Sequence, residues 1–207
     1  MSNRKKKCKM CKEYPIAEEG TQTPAGFFCD HIHAMAWVNR KQNQEKQKAI
    51  KKQHSIQKRE FLLSDVRHQH KLTQASFNRM RVLEELAWFE KKGVEPYCIS
   101  CGKTKMDWCC GHFKTVGSSG SLRYDRNNTF LQCNWYCNMN KSGNIEGCAN
   151  THGYKKGLYL RFGNEGEEII DYCERNQSSV KKWTGIELEG IRKEFSKRAS
   201  DLRTKGN

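Results

Sequence analysis

Cys98-Ile-Ser-Cys101, Trp108-Cys109-Cys110-Gly111-His112-Phe113, Leu122-Arg-Tyr-Asp-Arg-Asn-Asn128, Cys133-Asn-Trp-Tyr-Cys137 and Asn138-Met-Asn-Lys-Ser-Gly-Asn144 follow one another within 47 residues. The first and fourth phrases are a C-x2-C and a C-x3-C pair. Four thiolates delivered by two tight turns suit one tetrahedral zinc, so Cys98, Cys101, Cys133 and Cys137 are expected to bind a structural Zn²⁺. Between and after the pairs come a histidine behind a glycine and several asparagines, side chains suited to proton transfer and to hard cations. The rest of the chain reads as a support for this stretch.

Working outward, the 207 residues are 36% hydrophobic, with a mean hydropathy of −0.93. That is little apolar material for one large core, so small metal-stapled modules joined by helices are expected. The formal charge of +15, from 38 Lys and Arg against 23 Asp and Glu, points to a polyanionic partner, nucleic acid first. Eleven cysteines would also fit a secreted disulfide scaffold, but residues 1–9 are polar and basic, without the apolar centre of a signal peptide. The thiols are therefore expected to be reduced, intracellular and, where paired, metal-bound. No window approaches the ~20 apolar residues of a membrane span.

Residues 1–34 read as a zinc ribbon. Cys8-Lys-Met-Cys11 and Cys29-Asp-His-Ile-His33 supply Cys8, Cys11, Cys29 and His33, with His31 a rival fourth ligand, and Pro15, Gly20, Pro24 and Gly26 mark turns between the pairs. Residues 40–71 read as a long solvated helix within a basic arm spanning residues 35–92. Residues 40–60 hold eight Lys or Arg against two Glu, among them Lys41, Lys46, Lys48, Lys51 and Lys52, a density that suits lying along phosphates. A second helix is expected over residues 73–92, where Phe77, Met80, Leu83 and Ala87 form an apolar stripe that Gly93 and Pro96 terminate. The third domain is residues 93–165 and the fourth, C-terminal helices, residues 166–207. Residues 147–157 read as an irregular insertion carrying Cys148 and His152, residues 158–162 as a short strand or helix end, and residues 167–175 as a short helix. Thr184-Gly-Ile-Glu187 is a capping box opening a final helix.

Phosphodiester hydrolysis needs an activated water, a cation on the phosphate and a stabilised leaving oxygen. His112 is the candidate general base. Asn138, next to the zinc ligand Cys137, is a candidate ligand for Mg²⁺ or Mn²⁺, and Asn128 is expected to hold the loop near His112 by bonding to backbone. Lys114, Arg123, Lys141 and Tyr154 are candidate phosphate contacts. The order of parts suggests an α+β fold: a small zinc-stapled ββα-metal (HNH-like) nuclease core with an N-terminal zinc ribbon and flanking long helices.

Pro96-Tyr-Cys-Ile-Ser-Cys-Gly102, Gly111-His-Phe113, Leu122-Arg-Tyr124, Gln132-Cys133 and Cys137-Asn-Met-Asn-Lys-Ser-Gly-Asn144 resemble the NinG (Rap) recombination endonucleases of lambdoid phages. The likeness extends to the N-terminal Cys pairs, the basic helix, and Lys182-Trp-Thr184 with its helix ending Asp201-Leu-Arg203. It implies a structure-specific DNA nuclease acting on D-loops and Holliday junctions, in the cytoplasm of a phage-infected or prophage-carrying cell, alongside phage or host recombination proteins. Two symmetric cuts would call for a homodimer.

The chain departs from that family at three places. Cys109 stands where an Asp or His is usual, three residues before the histidine, leaving Cys109 and Asp107 as candidates for a second catalytic metal ligand. The second cysteine pair is one residue longer than C-x2-C, and residues 147–152 look inserted. The alternative reading is a non-catalytic zinc protein that binds DNA and recruits or regulates recombination proteins.

Overall fold

In the computed structural model, residues 6–14, 20–141 and 144–205 are described; Pro15 of the expected ribbon turns and Ser142 and Gly143 of the asparagine run lie outside them. The fold is α+β, in two compact units, Met1–Phe61 and Leu62–Asn207.

In the first unit, β1 (Thr21–Thr23) and β2 (Gly26–Phe28) form a hairpin with Thr21 opposite Phe28. Phe28 is fully buried and its ring packs 5.8 Å from Trp37 on α1 (His31–Ser64). This helix starts earlier than its charge pattern suggests, because Asp30 accepts a hydrogen bond from the His33 backbone N–H (2.7 Å) and satisfies an otherwise unpaired donor of the first turn. No residue of α1 is buried, as its Lys- and Gln-rich composition requires.

The expected break between the two helices, near residue 72, lies instead at Asp65. Its carboxylate accepts from the His68 N–H (2.9 Å) and caps α2 (Val66–Lys92), a local bond that outweighs the continuous polar pattern around it. Gly93 ends α2 in the left-handed conformation (φ 66°), as its sequence position predicts. Of the expected stripe, Phe77 and Met80 are buried and Leu83 and Ala87 half-buried, and Phe89 of the same helix is buried as well. Phe77 and Met80 meet Phe195 and Ala199 of α5 (Gly185–Lys205), whose start carries the capping box in full: the Thr184 Oγ1 accepts from the Glu187 N–H (3.2 Å) and Glu187 accepts from the Thr184 N–H (2.8 Å).

Beside α2 lies a second antiparallel hairpin, β3 (Trp108–His112) with β4 (Thr129–Cys133), pairing Trp108 with Cys133 and His112 with Thr129. A single turn of wide, π-type helix follows at Asn134–Met139. Residues expected as an insertion and a strand or helix end resolve differently. Residues 147–153 form a turn closed by a Cys148–Thr151 bridge, and α3 (Tyr154–Phe162) is helical throughout, followed by α4 (Asn164–Asn176). Ile99, Phe113, Leu122, Phe130, Tyr154, Leu158 and Ile170 make the core between these elements. Gly157 permits the approach of α3 to the first cysteine turn, since any β-carbon there would collide with the Ile99 carbonyl oxygen.

Candidate active site and metal centres

Both expected thiolate sets assemble. Cys98, Cys101, Cys133 and Cys137 bring their sulfurs within 4.8 Å of one another, and so do the ligand atoms of Cys8, Cys11, Cys29 and His33. His33, not its rival His31, completes the second group. The Cys101–Cys133 and Cys11–Cys29 sulfurs lie 3.8 and 3.5 Å apart, and Cys8 Sγ lies 3.7 Å from His33 Nδ1. Four ligands at ~2.3 Å around a tetrahedral centre have their sulfurs about 3.8 Å apart, so the donor sets fit zinc in both chemistry and spacing. The Ser100 and Cys133 backbone N–H groups each point at Cys98 Sγ (3.4 Å), an arrangement that favours the thiolate a metal needs. The longer spacing of the second pair is absorbed by the π-type turn, whose extra residue lets Cys137 return to the cluster.

His112 ends β3 and lines a cleft of about 240 Å³ together with Asn138, Lys141, Asn144 and Gln132. Strand and turn thus bring together the two residues singled out for catalysis. The Arg123 carbonyl accepts from His112 Nε2–H (3.2 Å), so the second ring nitrogen, Nδ1, carries the lone pair. Burial pushes the imidazole below its ordinary pKa, a shift that the backbone hydrogen bonds at Arg123 and Cys110 oppose only in part. Phe77 of α2 packs on it (6.4 Å between ring centres). Gln74 of the same helix reaches within 3.4 Å of Nε2 while bonding Asn78 (2.8 Å). Neither Gln74 nor Asn78 carries a sequence signal, because polar residues on a helix are usually solvated.

Asn128 is fully buried and clamps backbone, as expected: it accepts from the Lys114 N–H (2.7 Å) and donates to the Lys114 and Leu122 carbonyls (2.9 and 3.1 Å). It shapes the loop behind His112 and does not line the cleft. Tyr154, a candidate phosphate contact, lines the cleft from within the protein and not from its surface. It is buried, its hydroxyl donating to the Gly111 carbonyl (2.7 Å) and accepting from the Phe130 N–H (3.0 Å), and so it staples both strands of the hairpin. Gly111 likewise makes room for the side chain of Gln132, which fills the space a β-carbon would take.

Cys109 and Asp107 are not brought to the cleft. Cys109 stands directly opposite Gln132 in the hairpin, and although the Gln132 side chain lines the cleft, the cleft stops short of Cys109. The Cys109 thiol donates to the Gln132 carbonyl (3.3 Å), and burial, with the charges of Cys133 and Cys98, pushes its pKa up to about 12. Lys141 lines the cleft and approaches Cys148 Sγ (3.4 Å). Lys114 pairs with Glu174 (3.8 Å), and the Arg123 side chain is half-buried. Lys41, Lys46, Lys48, Lys51 and Lys52 are all exposed on α1. His152 belongs to neither ligand group and engages the Ile99 carbonyl (2.9 Å).

Residues 1–205 match the family described as Bacteriophage Lambda NinG protein. The chain is 26% identical to Protein ninG of Escherichia phage 933W over 96% of this chain and 94% of that one. It is 32% identical to Protein ninG of Escherichia phage lambda over 56% of this chain and 52% of the other, and 30% identical to that of Salmonella phage P22 over 56% and 53%. No solved structure matches. No helix among the described residues is long and apolar enough to cross a membrane. With a match that runs through both cysteine clusters and the cleft between β3 and the π-type turn, the chain is a member of the NinG family.

Proposed function

We propose that this protein is a divalent-metal-dependent DNA endonuclease of the HNH, or ββα-metal, type that cleaves branched recombination intermediates such as D-loops and Holliday junctions. The observation that carries the reading is the meeting of His112 and Asn138 in one cleft beside Lys141, on a hairpin and turn anchored by four thiolates. With Nε2–H committed to the Arg123 carbonyl, Nδ1 takes the proton of an attacking water, and burial keeps that nitrogen unprotonated at neutral pH. Lys141 supplies positive charge at the phosphate.

The cleft is lined by the amides of Asn138 and Asn144, the Asn144 Oδ1 already accepting from the Gly147 N–H (2.8 Å), and, among the described residues, by no carboxylate. That set fits a hard cation such as Mg²⁺ or Mn²⁺ held by one or two protein oxygens, water and substrate phosphate. Bound in this way, the cation would neutralise phosphate charge and stabilise the departing 3′ oxygen. The lysines of α1 add contacts to phosphate that carry no sequence information, which suits a substrate recognised by shape.

Labelled four-way junction, D-loop, flap and linear duplex, incubated with pure protein in Mg²⁺ or Mn²⁺, test the reading. Cleavage of the branched substrates is expected, with His112→Ala losing on the order of 10²-fold or more while keeping zinc content and junction binding. Binding without cleavage under either cation would replace the nuclease by a zinc protein that recruits recombination partners.

A further inference from the structure

The protein has five tryptophans, and four of them are packed. Trp37 lies against Phe28, Trp88 against Phe89 and Phe162, Trp108 against the thiolate cluster, and Trp183 against Tyr124. Trp135 differs: it is 68% exposed, and its indole has no ring, cation–π or hydrogen-bond partner among the described residues. Met139, one turn further on, is 59% exposed. Both stand on the π-type turn, which Cys133 of the zinc-type cluster precedes and which contains Cys137, and Asn138 of the cleft lies between them in sequence. A large apolar side chain left in water on a clamped element costs hydration without contributing to the core.

We infer that Trp135 is a stacking platform for an unpaired nucleobase at the branch of the DNA substrate. The inference rests on the branched-DNA reading above and deepens it. The surroundings carry the complementary charge: Lys103 and Lys141 sit 4.0 and 5.6 Å from the Tyr136 ring on the same turn, and Lys141 also lines the cleft. A phosphodiester chain can therefore run along the lysines while its base meets the indole, and stacking on an aromatic face works for any base. A base inside a continuous duplex already has both faces covered. Only an unpaired or frayed base can take the indole as a neighbour, so Trp135 distinguishes a branch from linear duplex without reading sequence.

The test compares the zinc-loaded parent with Trp135→Ala and Trp135→Phe. Binding is measured without Mg²⁺ or Mn²⁺ to a four-way junction, a flap carrying 2-aminopurine at the branch, and linear duplex of equal length. Trp135→Ala should weaken binding to the branched forms by about tenfold and leave duplex binding unchanged, while Trp135→Phe retains most of the affinity. The parent, and not Trp135→Ala, should quench the 2-aminopurine. Unchanged affinity of Trp135→Ala for the branched DNA, or an equal loss on duplex and branched DNA with zinc content intact, would overturn the platform. Should Trp135→Ala lose zinc, an absence of 2-aminopurine quenching by the parent overturns it by itself. Cleavage by the parent in Mg²⁺ reports on the nuclease separately, and a parent that binds no branched DNA overturns the proposed function itself.

Discussion

At the scale of single residues, His112 and Cys109 show how one bond and one strand register set chemistry. Burial lowers the His112 pKa below 6.5, so its neutral form dominates in the folded protein. The pH–rate profile for junction cleavage should accordingly have its acid limb below pH 6.5, activity falling as the pH drops through the folded-state value. The same shift stabilises the fold fully only above the unfolded value and removes that stability as the pH falls, so denaturant midpoints should decline below about pH 6.5. An acid limb above pH 7 would exclude His112 as the base. Cys109 does not line the cleft and has Cys133 and Cys98 as its charged neighbours. Cys109→Asp should therefore leave the ratio of Mg²⁺ to Mn²⁺ activity unchanged and lower stability by about 1–3 kcal/mol, because a carboxylate is placed beside thiolates; activity assays and urea titrations distinguish this from a metal-ligand role.

At the scale of elements, the zinc-type clusters do the work of cores that are too small. Around Cys98, Cys133 and Cys137, among the described residues, only Met106, Trp108, Tyr136 and Cys101 pack as apolar partners, so a zinc ion bound by the four thiolates would supply the energy that holds the π-type turn in place. Elemental analysis should find about two zinc per chain, by the four-ligand rule. Cys133→Ser should release one of them and disorder the hairpin that carries His112, abolishing cleavage, whereas the first unit keeps its own ion. Retention of both ions in that variant would remove Cys133 from the ligand set. The hydrogen bonds of Asn128 and Tyr154 act on the same hairpin from its other side, holding the loop and strands where the thiolates do not reach.

At the scale of the second unit as a whole, a buried ion network joins α2 to the hairpin and to α3. The Arg161 side chain is 0% exposed, 2.9 Å from Glu85, and stacks on Phe89 and Tyr97 at 4.8 and 4.7 Å. Glu85 also accepts from the Leu131 N–H (3.1 Å) and from Arg81 (3.0 Å), which in turn donates to the Thr129 carbonyl (2.7 Å). Removing one member leaves a buried charge without its counter-ion. Glu85→Gln should thus cost about 3–5 kcal/mol of unfolding free energy, visible as a lower denaturant midpoint, and should reduce cleavage only as far as folded protein is lost. A loss of activity in fully folded Glu85→Gln would mean that the network also tunes the cleft.

Sequence by itself determined the parts whose signal is local. Cysteine spacing identified both ligand groups, since tight turns deliver neighbouring thiolates whatever surrounds them, and Gly93 and the Thr184 to Glu187 box marked helix ends through bonds made within one turn. Tertiary structure alone decided which side chains share a space. It left Cys109 outside the cleft that its cross-strand partner Gln132 lines, took Tyr154 from the surface to the interior, and turned Arg81 and Glu85, an ordinary solvated pair by spacing, into the buried joint of the unit. It also set Gln74 beside His112 and left Trp135 outside every core. Burial and the facing of elements depend on contacts between residues far apart in the chain, and periodicity, which records only what lies one turn or one pleat away, carries no account of them.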